Sequence, residues 1–199
     1  MPAKAKTKRV RKDPEVRRAE LVEAATRMFL KKGYKATSVD DIVKAAGVSK
    51  GTFYLYFSSK PEILTAIIEQ VQLNIFTWLG EIMASDRNPE EKLLDGLEGA
   101  FKEYQQSEEI LRVFELAGPE AAHERLRSRG WEQSKPMLAF LIQQGIDEGL
   151  FQVDDLDGTV DLVMVLVSEL QHLVISPYSK VDAESGTKLL KRALGGLLK

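Results

Sequence analysis

Apolar residues recur at helical spacing along most of this 199-residue chain, and turn signals separate the successive stretches. The first stretch ends at Gly33, a glycine placed where a helix commonly stops. Its apolar members are Leu21, Ala24, Ala25, Met28 and Phe29. We find no alternating pattern of the kind that predicts a strand pairing. The chain is therefore predicted to be all-α.

Two short helices joined by a tight turn are predicted within residues 37–57. Ser38 can cap the first helix, and Gly47 falls where the chain must turn. Ser49 can cap the second helix, which we expect to run from Lys50 to about Phe57. Such a unit presents the end of its second helix to the major groove of DNA, so this segment predicts a helix-turn-helix.

The distribution of charge supports the same interpretation. Residues 1–60 contain 10 Lys and 5 Arg against 6 acidic residues, a net charge of +9. The remaining residues contain 13 basic and 24 acidic side chains, a net charge of −11. A basic N-terminal part attracts phosphates while an acidic remainder repels them, so the split favours a partner that is double-stranded DNA.

Three regions are predicted along the chain. Residues 1–12 are basic and almost without apolar side chains, which predicts a flexible arm that either serves as a solubilising tail or contacts DNA. Residues 13–58 form the helix-turn-helix domain, and residues 59–199 form a larger helical domain. A helix that starts at Ser59 and reaches about Met83 leads from one into the other.

Within the larger domain, the segment Leu162–Ile175 is apolar nearly all round. A helix of this kind must be covered on every face, by its own core and by a second subunit. A long helical region reaching Glu148 precedes it, with an interruption expected near Gly130, and a final helix is expected at about 182–198. The chain has no cysteine and no apolar stretch as long as a membrane span, so we expect a cytoplasmic protein.

The segment from Phe29 to Leu64, which includes Thr-Ser-Val-Asp-Asp-Ile at 37–42 and Ser-Lys-Gly-Thr-Phe-Tyr-Leu-Tyr-Phe at 49–57, resembles the TetR family of bacterial transcriptional regulators. The resemblance covers about residues 15–65. It implies three N-terminal helices and about six more that form a ligand-binding and dimerisation bundle, in which two subunits pair through their last two helices.

The same resemblance assigns DNA contacts. Lys50 and Gly51 are expected at base edges, and Tyr54 and Tyr56 are expected to anchor phosphates. The full set of expected contact residues is Thr37, Ser49, Lys50, Gly51, Thr52, Tyr54, Tyr56 and Lys60. Leu55 departs from the family, which commonly has a polar or aromatic residue there, and this leaves the operator sequence open.

A ligand pocket is expected between the helices of the larger domain, because bundle cores are where such proteins place ligands. Candidate lining residues, each of which could instead be ordinary core, are Trp78, Phe101, Tyr104, Phe114, Trp131, Met137, Phe140 and Met164. A lining of this kind favours a small hydrophobic effector, aromatic, acyl or drug-like, over a sugar or nucleotide.

Two other functions are compatible with parts of the sequence. The pairs Glu120–His123 and Glu169–His172 have the Glu-x-x-His spacing of di-metal carboxylate enzymes, although the residues after His123 read as solvent-facing. No catalytic fingerprint is present, and we expect neither an enzyme nor a bound cofactor or metal. A second alternative is a DNA-binding dimer that responds to no ligand.

The sequence thus predicts a dimeric transcriptional regulator, most simply a repressor of a palindromic operator that a small hydrophobic ligand releases. It does not identify the effector, the operator or the target genes. It also leaves open whether the protein represses or activates, and whether the basic arm contacts DNA.

Overall fold

The computed structural model describes residues 13–176 and 179–198, so the predicted basic arm lies outside the described residues. Within these ranges the chain forms nine helices and no strand, which confirms the all-α prediction. The helices are α1 (Pro14–Lys32), α2 (Val39–Ala46), α3 (Lys50–Tyr54), α4 (Lys60–Met83), α5 (Pro89–Gln106), α6 (Glu108–Ala117), α7 (Glu120–Asp147), α8 (Leu156–Ile175) and α9 (Ala183–Leu197).

The chain divides into two compact units, the first ending at Ile63 and the second beginning at Leu64. Helix α4 therefore starts in the first unit and continues for most of its length in the second. Helices α1, α2 and α3 lie in the first unit, where α2 packs against both of the others. None of the described helices is long and apolar enough to cross a membrane.

Local side-chain contacts set the bounds of the helix-turn-helix. Ser38 and Asp41 form a reciprocal capping box at the start of α2, in which the Asp41 amide donates to the Ser38 hydroxyl at 3.1 Å and the Ser38 amide donates to the Asp41 carboxylate at 2.8 Å. Gly47 ends α2 in the left-handed conformation, with φ of 65°, which costs a glycine little. Both features are confirmed as the sequence predicted them.

Helix α3 ends before its predicted position, and helix α8 begins before the apolar segment seen in the sequence. Helix α3 ends at Tyr54 and not near Phe57, because the next two amides donate to carbonyls three residues back, a tighter turn than an α-helix. Helix α8 starts at Leu156, six residues before the apolar segment that begins at Leu162, because the Asp155 carboxylate accepts the Gly158 amide at 3.0 Å and caps the helix there.

Helix α7 runs without a break through Gly130, so the interruption expected there is wrong. It also accommodates Pro136 in its interior. A single glycine costs a helix only about 1 kcal/mol relative to alanine, and burial of residues such as Leu126 and Ile142 on either side of Gly130 offsets that cost.

The second unit has its main core among α5, α7, α8 and α9. Phe101 of α5, Ile142 of α7, Val163 of α8 and Leu190 of α9 are almost completely buried there. Phe151, in the segment after α7, belongs to the same core and is 6% exposed. Packing from four helices leaves little room for added volume at this point.

We expect Gly145→Ala to destabilise the second unit by roughly 1–3 kcal/mol, because a Cβ at Gly145 would lie 2.1 Å from the Phe151 ring. Gly130→Ala is the matched control in the same helix, because the nearest atom to its added Cβ would be Gln72 Nε2 at 3.8 Å. This variant should stabilise α7 slightly. Urea unfolding of both variants measures the difference, and equal free energies of unfolding would contradict the close packing of Phe151.

Candidate nucleic-acid interface

The start of α3 is held in place by its own capping residue. The Ser49 hydroxyl accepts the Thr52 amide at 3.2 Å and lies 2.9 Å from the Thr52 hydroxyl. Both hydroxyls, predicted to contact DNA, are therefore engaged with one another in capping the helix. Gly51 lies exposed beside them, and a Cβ there would meet only the Ser49 hydroxyl at 3.8 Å, so this turn of α3 presents open backbone.

Helix α3 has one buried face and one exposed face. Phe53 and Phe57 are at most 2% exposed and contact each other, with ring centroids 5.8 Å apart, as expected of core residues. Tyr54 is 51% exposed while its ring packs edge-on against Phe53. Tyr56 is half-buried. The phosphate contact expected of Tyr54 stays a prediction, and the exposure of this residue is compatible with it.

Lys50, at the first position of α3, forms an ion pair with Asp40 of α2. Its Nζ lies 3.0 Å from Asp40 Oδ1 and 3.1 Å from Oδ2, and this carboxylate raises the pKa of Lys50. The two side chains are 53% and 69% exposed, so water screens the attraction and the pair contributes little to stability. The lysine can therefore leave Asp40 for a base edge at small cost.

Lys60 has a different environment from the one its sequence position suggested. Its ammonium donates to the backbone carbonyls of Tyr34 at 2.8 Å and Thr37 at 2.9 Å, and it lies 4.3 Å from the centre of the Tyr34 ring. Burial lowers the pKa of Lys60. Two of its three N–H donors thus fix the start of α4 to the loop between α1 and α2, which leaves one donor for a phosphate.

Thr37 is only 1% exposed, and its hydroxyl donates to the carbonyls of Gly33 at 2.8 Å and Met28 at 3.2 Å. This geometry favours a structural role for the Thr37 side chain, which closes the loop between α1 and α2. The resemblance to the TetR family implied a contact of Thr37 with the DNA backbone, and sequence alone does not show that the hydroxyl turns inward.

Several of the basic side chains behind the positive charge of the N-terminal part form ion pairs with nearby acidic side chains. Arg17 pairs with Glu20, Arg27 with Glu23, and Lys32 with Asp41, in addition to the pair at Lys50. The Lys32 ammonium, together with the Ser38 hydroxyl and amide, lowers the pKa of Asp41. Six of the cations behind the net charge of +9 belong to residues 1–12, outside the described part of the chain.

The sequence profile of the bacterial regulatory proteins of the tetR family matches residues 21–67, which span α2, α3 and the adjoining parts of α1 and α4. The match extends beyond this domain. The HTH-type transcriptional repressor KstR2 of Mycobacterium tuberculosis is 29% identical over 191 residues, which cover 92% of this chain and 94% of that protein. The chain is thus similar to TetR-family regulators both in this domain and over nearly its whole length. These relatives are named transcriptional regulators and not enzymes.

Solved structures of TetR-family regulators have the same fold. The structure of the ketosteroid transcriptional regulator KstR2 of Mycobacterium tuberculosis is 28% identical, covers 92% of this chain and 95% of its own, and superposes with a TM-score of 0.63. A TetR/AcrR-family regulator from Thermobifida fusca superposes with a TM-score of 0.74 at 22% identity, over 90% of this chain and 96% of its own. The second likeness shows the shared fold alone.

The second unit contains an open cavity of about 510 Å³ between α4 and α5. Ile75, Trp78 and Ile82 of α4 give it an apolar wall. The other lining residues are mostly polar or charged: Asn74, Arg87, Asp95, Glu98, Gly99, Lys102, Glu103 and Gln106. The indole of Trp78 occupies the space over Gly99, where a Cβ would meet it at 2.1 Å.

Of the predicted lining residues whose side chains the structure describes, Trp78 alone lines this cavity. Phe101 and Phe114 are buried core residues, whereas Phe140 is 59% exposed. Trp131, Met137 and Met164 are half-buried. The side chain of Tyr104 lies outside the described part of the structure. The candidate lining residues were chosen mainly because they are aromatic. The cavity is lined instead by charged residues of α5, and their residue type alone did not indicate that they would line a pocket.

The histidines of the two Glu-x-x-His spacings lie near a different glutamate. His123 Nδ1 lies 3.8 Å from one Glu115 oxygen and His172 Nδ1 lies 3.9 Å from the other, so both side chains approach Glu115. Among the described residues, no group of three histidine, aspartate or glutamate side chains could hold a metal ion. The relatives of this chain are named regulators, and it is this finding that goes against the di-metal enzyme alternative.

Proposed function

We propose that this chain is a dimeric repressor that binds a palindromic operator and is released from it by a small hydrophobic effector. A stripe of exposed apolar side chains on α8 is the observation on which the proposal rests. Leu162, Val165 and Leu173 are 44%, 47% and 39% exposed, and their spacing places them on one face of the helix. We call this the outer face of α8.

The opposite face of α8 contains Val160 and Val163, both fully buried in the core. One helix thus has apolar residues on two opposite sides, and the core of its own chain covers one of them. On α9, which packs against α8, Leu189 is 50% exposed. Exposed apolar surface on neighbouring helices marks a protein–protein contact, and a second copy of the chain is the partner that the family relationship supports.

A symmetric dimer accounts for the form of the operator. Each protomer presents one α3, and two-fold symmetry relates the two helices, so the half-sites they read form a palindrome. For helix-turn-helix dimers the half-sites lie about 34–36 Å apart, which is one turn of DNA. Repression is proposed because KstR2, similar over nearly its whole length, is named a repressor.

The cavity beside α4 is the proposed effector site. Its apolar wall on α4 suits a hydrophobic body, and Lys102 at its polar side suits a carbonyl group on the same molecule, whereas Arg87 there is paired with Asp95. The relative KstR2 is named a ketosteroid transcriptional regulator, and ketosteroids are hydrophobic molecules. We therefore place polycyclic ketones and acyl compounds first among candidate effectors.

Helix α4 offers a route from the effector to the DNA-binding domain. Trp78 lies in its second half, and Lys60 fixes its first residue to the loop between α1 and α2. An effector that shifts α4 would move this loop and with it α2 and α3. A coupling of roughly 1–3 kcal/mol between the two sites is enough to release an operator.

The experiment that tests the proposal is selection of bound sequences from a random DNA library at physiological salt with the purified full-length chain. We expect an enriched palindrome whose half-sites lie about 10 base pairs apart. A panel of ketosteroids, acyl compounds and aromatic drugs is then screened for release of that operator. An enriched site without symmetry would contradict the dimer, and a ligand that binds without changing operator affinity would contradict release.

A further inference from the structure

Leu55 is the most exposed large apolar side chain of the described DNA-binding unit, at 81% of its surface. It follows the last residue of α3 and keeps helical backbone angles, with φ of −73° and ψ of −22°. Its side chain is therefore positioned as if α3 continued through it. An apolar residue so exposed gains little for the fold, and its place at the end of α3, the helix that a helix-turn-helix presents to the bases, suggests a contact with DNA.

The position of Leu55 on α3 points it away from the protein. Successive helical residues are about 100° apart, so Leu55 lies opposite the direction of the buried Phe53 and Phe57. Gly51 and Thr52 lie one turn before it on the same side. Gly51 adds no side chain there and the Thr52 hydroxyl is engaged with Ser49, so the isobutyl group of Leu55 dominates this outward surface.

The chemistry of the major groove limits what an apolar side chain can recognise. Of the four bases, thymine alone presents an apolar group at its major-groove edge, the C5-methyl. The other edges present hydrogen-bond donors and acceptors, to which an isobutyl group offers no partner. We propose that Leu55 determines operator specificity by packing against a thymine C5-methyl group, an inference that rests on the proposed binding of an operator.

The experiment replaces each thymine of the selected operator, one at a time, by deoxyuridine, which lacks only the methyl group. Binding is measured for the wild-type chain and for Leu55→Ala and Leu55→Met. We expect the wild-type chain to lose affinity about threefold to fivefold at one thymine per half-site. Leu55→Ala should bind both forms of that site equally, and Leu55→Met, which keeps an apolar side chain of similar volume, should retain the loss.

The other thymines of the same operator are internal controls, since removing their methyl groups should affect all three proteins alike. The inference is overturned if no thymine distinguishes the wild-type chain from Leu55→Ala, or if the selected operator contains no thymine. Both results leave operator binding itself intact. Failure to select any operator would instead contradict the proposed function together with this inference, so the two failures are distinguishable.

Discussion

The double variant Leu162→Glu/Val165→Glu is expected to be monomeric and to bind its operator roughly 100-fold or more weakly than the wild-type chain. Both side chains lie on the outer face of α8 and are 44% and 47% exposed in the single chain. Glutamates at these positions face water in the monomer, so the fold should persist. In the dimer they would bring like charges into an apolar contact, which costs several kcal/mol.

The loss of affinity follows from the loss of bivalency. A dimer that has placed one α3 in the DNA holds the other at a high effective concentration over the second half-site, and a monomer does not. Sedimentation of the variant measures its oligomeric state, and titration with the selected operator measures its affinity. Circular dichroism checks that the helices remain.

Leu73→Glu is the matched control. Leu73 is 54% exposed on α4, so the same kind of change is made at an apolar residue outside the helices α5, α6, α7 and α9 that pack against α8. It should leave both the dimer and operator binding unchanged. A double variant that remains dimeric, or a control that dissociates, would show that the subunits pair through another surface.

Lys50→Ala is expected to weaken operator binding roughly 5-fold to 150-fold while binding to unrelated DNA changes little, because a base contact discriminates between sequences. Lys50 is at the exposed start of α3, next to the open backbone of Gly51. The variant removes a donor to guanine and leaves Asp40 without its cation. The unpaired Asp40 carboxylate is solvent-exposed, so the helix-turn-helix should remain folded.

Lys31→Ala removes the same charge from the exposed last turn of α1 and serves as the control. It should reduce binding to operator and unrelated DNA by the same small factor. Fluorescence anisotropy with both DNAs, at several salt concentrations, separates the two effects. Lys50→Ala could instead weaken binding to both DNAs equally and reduce the slope of log affinity against log salt concentration by about one. Lys50 would then contact a phosphate and not a base.

The helix starts of the DNA-binding unit could be predicted because they depend on neighbours in the sequence. Ser38 and Asp41 are three residues apart, and their mutual hydrogen bonds need nothing but the first turn of a helix. Gly47 takes φ of 65° because the chain must turn there. The end of α3 was predicted less well, because the tightening after Tyr54 has no such local signal.

The partners of the basic residues could not be predicted, because they come from other helices. Lys60 bonds to carbonyls 23 and 26 residues earlier in the chain. Lys50 meets Asp40 only because the turn folds α3 back beside α2. In the same way, Arg87 and Lys102 line the cavity because α5 packs beside α4. The sequence prediction, which favoured aromatic residues, named other positions.

By itself the sequence determined that this protein is all-helical, that its N-terminal part is a helix-turn-helix, and that α8 is apolar on more than one side. These properties follow from periodicity, capping and charge, which act over a few residues. Only the tertiary structure decided that Thr37 is buried, that Lys60 braces the start of α4, and that Leu55 faces outward. Those outcomes depend on which surfaces the folded chain brings together, and burial is a property of the packed molecule and not of any residue alone.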